Sequence, residues 1–282
     1  MASGTDVTAP YGLKPINLIG GQVFAGSTRM YPIQYGYATN IFNGDFVKVV
    51  RGSVTRAAIG ATTSSNAVTG VFVGCSYTDP VTKNKRFSQY WPASTLAGDA
   101  VAYVVDDPDT VFKAAVCSSG VVMASGAYAL VGTNLSMIDN ASGNVNTGNS
   151  LNAILAPTDT PATTILPVRC VGVVPETSIS YTASGSSSST TLTLTGSGAP
   201  AALPVGTSVA YYASNGQLIE TGSFVDTAAA AGDTSITLNA AIDVPGSVTA
   251  IPAASTVVFT IYRELLVKIN VLTHGYYSSV TA

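Results

Sequence analysis

Nowhere in these 282 residues do apolar side chains recur at spacings of three and four over three helical turns, so no segment offers a helix face to bury. The recurring unit is instead a short β-branched and aromatic run bounded by Gly, Pro, Asp or Ser. Residues 46–51 (FVKVVR), 68–73 (VTGVFV), 100–105 (AVAYVV) and 111–117 (VFKAAVC) are of this kind, as are 167–174 and 264–270. Such runs form half-buried strands, and the fold class expected is all-β. Asp106-Asp-Pro-Asp-Thr110 has turn chemistry, which predicts a hairpin of 100–105 with 111–117. Residues 151–156 fit either a strand or one helical turn.

Charge divides the chain. Every Lys and Arg lies at or before Arg169 or at or after Arg263, while the stretch between holds five acids: Glu176, Glu220, Asp226, Asp233 and Asp243. A contiguous block with its own charge rule and a Ser/Thr/Gly/Ala vocabulary reads as a module inserted into a host domain. The expected organisation is an extended N-terminal arm (1–45), a host β-barrel or sandwich (46–176 plus 256–282), and an inserted, surface-exposed, acidic, immunoglobulin-like β-sandwich (177–255). Within the insert, 191–194 followed by 204–211 is echoed by 235–238 followed by 252–259. Residues 208–212 and 217–221 flank Ala-Ser-Asn-Gly, a hairpin signal, and the serine run 184–189 reads as a hinge.

Charged residues make up 10% of the chain, against roughly 25% in an ordinary soluble domain. A surface this poor in charge is expected to be covered by other subunits. Mean hydropathy is +0.36, yet no run is long enough to span a bilayer, so no membrane partner is expected. The formal charge of −3 argues against non-specific nucleic-acid binding. The start MASGTDVTAP has no basic n-region or apolar h-region, and no export signal is read from it. Cys75, Cys117 and Cys170 are far apart and without metal-ligand spacing, which predicts free thiols in a reducing cytoplasm.

The motifs of catalysis are near-misses. His274 is the single histidine and no serine sits in G-x-S-x-G. Residues 143–150 (GNVNTGNS) imitate a phosphate loop, but Asn149 replaces its lysine. Asp106, Asp107 and Asp109 lack the glycine and distal glutamate of a calcium loop. No catalytic residue, cofactor or metal is expected. Two sets of residues are candidates for partner binding. Tyr11, Leu13, Ile16, Leu18 and Ile19 are apolar anchors on a segment that cannot bury them alone. Lys83, Lys85 and Arg86, followed by Phe87, Tyr90 and Trp91, form a basic hairpin tip suited to an acidic protein surface.

YGLKPINLIGGQ (11–22) and YATNIFNGD (37–45) resemble the opening of small head-associated structural proteins of tailed bacteriophages. Tyr90-Trp-Pro, the stretch 102–112 (AYVVDDPDTVF) and the closing 266–270 (LVKIN) with His274 and Tyr276 fit the same pattern. The resemblance covers both ends of the host domain and skips the insert. It implies a capsid decoration, or cement, protein that binds the major capsid protein on the outside of an icosahedral head. It further implies a homotrimer made in the bacterial host cytoplasm. The alternative is a tail, fibre or vertex adhesin whose insert binds host glycans through Tyr181, Tyr211 and Tyr212.

Overall fold

The computed structural model describes residues 8–58, 68–118, 122–156, 166–188, 190–239, 250–271 and 273–276. The protein is all-β, and its strands fall into three main sheets.

The central sheet runs in the order Asn134–Leu135, Val168–Val173, Glu264–Ile269, Thr110–Ser118, Ala153–Leu155 and Met137–Ile138. Ser136 alone separates the first and last of these, so the two ends of the sheet meet and a nearly closed barrel results. Its register explains its core. Phe112 faces Val267, Ala114 faces Leu265, Val168 faces Ile269, and Val116 and Met137 both face Ile154. These side chains fill the interior with at most 1% of their surface exposed. The alternation read in 111–117 is thus the in-and-out alternation of a barrel wall. Each enclosed Val, Leu, Ile or Phe contributes roughly 1.5–3 kcal/mol.

A smaller barrel precedes it in the chain. Arg29–Pro32, Val101–Val105, Gly70–Thr78, Phe46–Val50 and Ser53–Arg56 pair in that order, and a bridge between Ile33 and Val54 joins the outer strands. Phe72, Trp91, Val47, Val54 and Val104 occupy its core. Lys85–Ser88 extends this sheet as a hairpin with Gly70–Thr78.

The hairpin expected of 100–105 with 111–117 does not form. Val101–Val105 has both edges filled, by Arg29–Pro32 and Gly70–Thr78. Thr110–Ser118 is likewise taken by Lys14–Leu18 on one side and Glu264–Ile269 on the other. Residues 106–109 are therefore a corner between two barrels. Their turn chemistry was legible, but a turn does not dictate which strands pair.

The segment expected as an arm is laid on its own domain. Lys14–Leu18 is a strand of the central sheet, Arg29–Pro32 a strand of the small barrel, and Ile33, Ile41 and Phe42 are buried. Gly12 and Gly44 make this possible. Both have positive φ (+77° and +97°), and a Cβ on Gly12 would lie 2.8 Å from the Gly44 Cα.

Residues 178–262 form a sheet of their own, in the order Leu218–Phe224, Ser208–Tyr212, Ala250–Tyr262, Ser178–Ser188, Thr191–Leu194 and Ser235–Thr237. Where a sandwich of two sheets is expected, the six strands make one sheet. Its outer strands are linked by the Val225–Leu238 bridge and the Asp226 N–H to Thr237 carbonyl bond. Its core is separate and includes Leu192, Val209, Tyr211, Ile236, Val257 and Phe259. The echoed segments are antiparallel neighbours, Leu192 opposite Ile236 and Val209 opposite Phe259. The 208–212 hairpin forms as its signal predicts.

Two expectations for this region change. Residues 184–188 are not a hinge, because they pair with Thr191–Leu194 on one side and Ala250–Tyr262 on the other. Ser189 lies outside the described residues. The strand Ala250–Tyr262 also runs across the expected boundary at 255/256, and Ser178 pairs with Tyr262. The chain therefore enters and leaves this sheet side by side.

Candidate functional site

Alternation around the central barrel determines what its outer wall presents. Val168 and Cys170 point in, so Arg169 points out; Val267 and Ile269 point in, so Lys268 points out; Phe112 and Ala114 point in, so Lys113 points out. Arg169 sits directly opposite Lys268 in the ladder, and Lys113 directly opposite Lys14. Four basic residues from four strands thus share one face.

Like charges placed opposite each other destabilise a sheet. The chain offsets part of this. Lys113 Nζ lies 3.2 Å from the buried Glu264 carboxylate and Lys268 Nζ 3.2 Å from Asp109. Lys14 Nζ donates to Asn43 Oδ1 at 2.9 Å and to Asn149 Oδ1 at 2.8 Å, both neutral acceptors. Burial pushes the Lys14 ammonium down to about 8. Arg169 is exposed and has no ion-pair partner among the described residues. The face retains an excess of positive charge that a partner carboxylate would meet.

The acidic sheet lies at the other end of the same strands. It joins the barrel where Tyr262 leads through Arg263 into Glu264, whereas Lys268 is four residues further on, about 13 Å along the strand. Arg169 and Lys268 are therefore kept away from the sheet that has no bases.

The anchors named from sequence divide. Leu13 is fully enclosed in the chain's own core, because Gly12 and Gly44 draw it inward, and is withdrawn from any partner. Tyr11 is half-buried; its hydroxyl donates to Glu264, and burial raises its pKa well above the usual phenol range. Leu18 is half-buried. Ile16 is exposed within the Lys14–Leu18 strand and Ile19 just after it, at the start of the loop in which the Leu18 N–H donates to the Gln22 carbonyl. At the hairpin tip, Lys85 pairs with Asp99 and Arg86 with Asp79, both at 2.8 Å. Lys83 is exposed beside Val81, with no ion-pair partner among the described residues. Phe87 is 77% exposed on the neighbouring strand.

Asp45 lies at a junction of the N-terminal segment with the 143–150 loop. The Asp45 carboxylate accepts from the Phe42 N–H at 2.8 Å, Ser150 Oγ at 2.5 Å and Asn152 Nδ2 at 3.0 Å, with Arg56 Nε 3.5 Å away. Burial nevertheless keeps its pKa above the ordinary aspartate value. The 143–150 loop serves this junction. Its Asn144 side chain takes the N–H groups of Asn146 and Thr147, donors that a phosphate would need, and its Asn149 takes Lys14.

The other candidates are structural. Asp106 receives Tyr31 Oη at 2.9 Å and Arg29 Nε at 3.0 Å, and also the Tyr276 hydroxyl; Asp107 accepts the Asp109 N–H, and Asp109 faces Lys268. The three carboxylates thus serve separate partners. His274 is buried against Tyr276, and burial lowers its pKa. Of the glycan candidates, Tyr211 is enclosed in the core of the six-stranded sheet, whereas Tyr181 and Tyr212 are half-buried.

The cationic face was missed in the sequence because its residues are spread over 254 positions, from Lys14 to Lys268. The available signal was a lone base flanked by inward residues in each of three strand runs. Comparison of the chain with protein-family models, curated proteins and solved structures yields no match. Fold and surface define an all-β protein with a cationic barrel face and an acidic sheet at the opposite end.

Proposed function

We propose that this protein is a non-enzymatic virion structural protein of the capsid decoration type, binding the outside of an icosahedral phage head as a homotrimer. The observation that carries the reading is the pairing of like charges, Lys14 with Lys113 and Arg169 with Lys268, on one barrel wall. An arrangement that costs the free chain stability is useful when an anionic surface covers it, and an acidic shell of major capsid protein is such a surface. Ile16, on the strand beside it, and Ile19, just past that strand's end, supply exposed apolar contacts. The six-stranded sheet, free of bases, stands away from the shell and keeps decorated particles apart by repulsion. Contacts that span neighbouring capsid subunits stabilise only the assembled shell, by mass action.

The test is co-sedimentation with shells of the cognate capsid protein. Arg169→Glu with Lys268→Glu should weaken binding at least tenfold, and wild-type binding should fall steeply with salt. Sedimentation of the free protein at micromolar concentration should give three chains. Shell binding that ignores both the charge reversal and the salt overturns the docking face, and a monomer overturns the trimer.

A further inference from the structure

A cavity of about 400 Å³ lies where the central barrel meets the six-stranded sheet, a size within the range of small-molecule sites. Met123 and Arg263 line it from the barrel side, and Tyr181, Leu203, Pro204 and Ile261 from the sheet side. The wall is mostly apolar; its polar side chains are Arg263, Ser118, Ser125 and Tyr181, and no acid lines it among the described residues.

That cation is held in a particular way. Arg263 Nη1 donates to the Ala124 carbonyl at 3.1 Å and to Ser125 Oγ at 3.3 Å, so both of its N–H groups are used. The fork left over is that of Nε and Nη2. Nε is buried and has no hydrogen-bond partner among the described residues, and Arg263 has no ion pair there either. A guanidinium does not deprotonate in proteins, so its charge cannot be relieved by losing a proton. Arg263 as a whole is half-buried, so its charge keeps some contact with solvent, whereas its buried Nε donor without an acceptor costs about 1–3 kcal/mol.

We propose that this cavity binds a small carboxylate with an apolar body, its carboxylate against the Arg263 guanidinium at Nη2 and its hydrocarbon against Met123, Leu203 and Ile261. A carboxylate pairs with a guanidinium through charge-assisted hydrogen bonds. Inorganic phosphate has no hydrocarbon to set against Met123, Leu203 and Ile261. Because the lining comes from both sheets, an occupant braces one against the other and stabilises the junction in proportion to its concentration. This inference is independent of the decoration reading, since it concerns neither shell nor trimer.

The experiment is a titration of the full-length protein, labelled with nitrogen-15, with octanoate, octanol and inorganic phosphate, following the Arg263 Nε–H resonance. Octanoate should give a saturable shift, with octanol and inorganic phosphate each at least tenfold weaker. Arg263→Gln should lower octanoate affinity at least tenfold, read by calorimetry. Should that variant fail to fold, Ala202→Phe at the exposed rim blocks the cavity and leaves the arginine in place, with the same loss expected. Octanol or inorganic phosphate binding as tightly as octanoate, the absence of a saturable octanoate shift, or full octanoate affinity in Ala202→Phe overturns the proposal.

Discussion

The central barrel draws its strands from Lys14–Leu18, Thr110–Ser118, residues 134–138, Ala153–Leu155, Val168–Val173 and Glu264–Ile269, whereas the six-stranded sheet takes all of its own from residues 178–262. The barrel cannot close until both ends of the chain are present. The sheet can, and its two ends already lie side by side through the Ser178–Tyr262 pair. Polar groups differ in the same sense. The barrel buries Glu264 and offsets it with Lys113, while the sheet has no basic side chain to pair with and relies on Ser and Thr. A region built from distant segments needs specific polar partners to hold its register, whereas one built from neighbours relies on strand alternation alone.

If the two regions are separate folding units, a large core deletion in one should leave the other intact. Phe112→Ala in the barrel and Phe259→Ala in the sheet should each cost about 3–5 kcal/mol in the unit that holds it. Urea unfolding followed by amide exchange should locate each loss in its own region. One shared transition, displaced equally by both variants, would break the comparison.

All three cysteines lie in the two barrels and none in 178–262, so alkylation reports on barrel opening alone. Burial pushes the Cys75 thiol up to about 12 and those of Cys117 and Cys170 up to about 11. Relative to an unburied thiol of pKa 9.0, the thiolate population at pH 8 falls by about 10²–10³-fold. Native protein should therefore react with iodoacetamide at least a hundredfold more slowly than denatured protein. Phe259→Ala should leave that rate unchanged and Phe112→Ala should raise it.

Replacing residues 179–261 with a short Gly/Ser linker removes four acids and no base, taking the formal charge from −3 to +1. The barrels should keep their unfolding free energy to within about 1 kcal/mol. Insoluble product, or a larger loss, would make the sheet part of the barrel's fold.

The smallest effect expected is the titration of Lys14. Its pKa is about 8 in the folded chain against 10.5 for a solvated lysine, so the unfolded chain binds more protons between these values. Stability should rise slightly as pH increases from about 8 toward 10.5 and be flat below that window. The neutral amine retains two N–H groups, enough for Asn43 and Asn149. Shell attachment should move the opposite way, weakening between pH 7 and 9 as the face loses a charge. Lys14→Gln should make that pH dependence flat.

Strand positions were legible because alternation is a local property. The runs 46–51, 100–105, 111–117, 167–174 and 264–270 all fall on strands, and 151–156 contains one, Ala153–Leu155. Pairing was not legible in the host region. Asp106 to Thr110 has hairpin chemistry yet turns a corner, since long-range partners had already filled both edges of Val101–Val105. Leu13 reads as an anchor in isolation and becomes core because two glycines 32 positions apart allow close backbone contact.

By itself the sequence determined the all-β class, the strand positions and the base-free stretch between Arg169 and Arg263, because periodicity and charge are carried by neighbours along the chain. Tertiary structure alone decided which strands close each barrel, which anchors stay exposed, and that Lys14, Lys113, Arg169 and Lys268 meet on one wall. Those outcomes depend on contacts between residues from about 20 to more than 150 positions apart, whose free energy comes from burial in a shared core and leaves no mark in any local window.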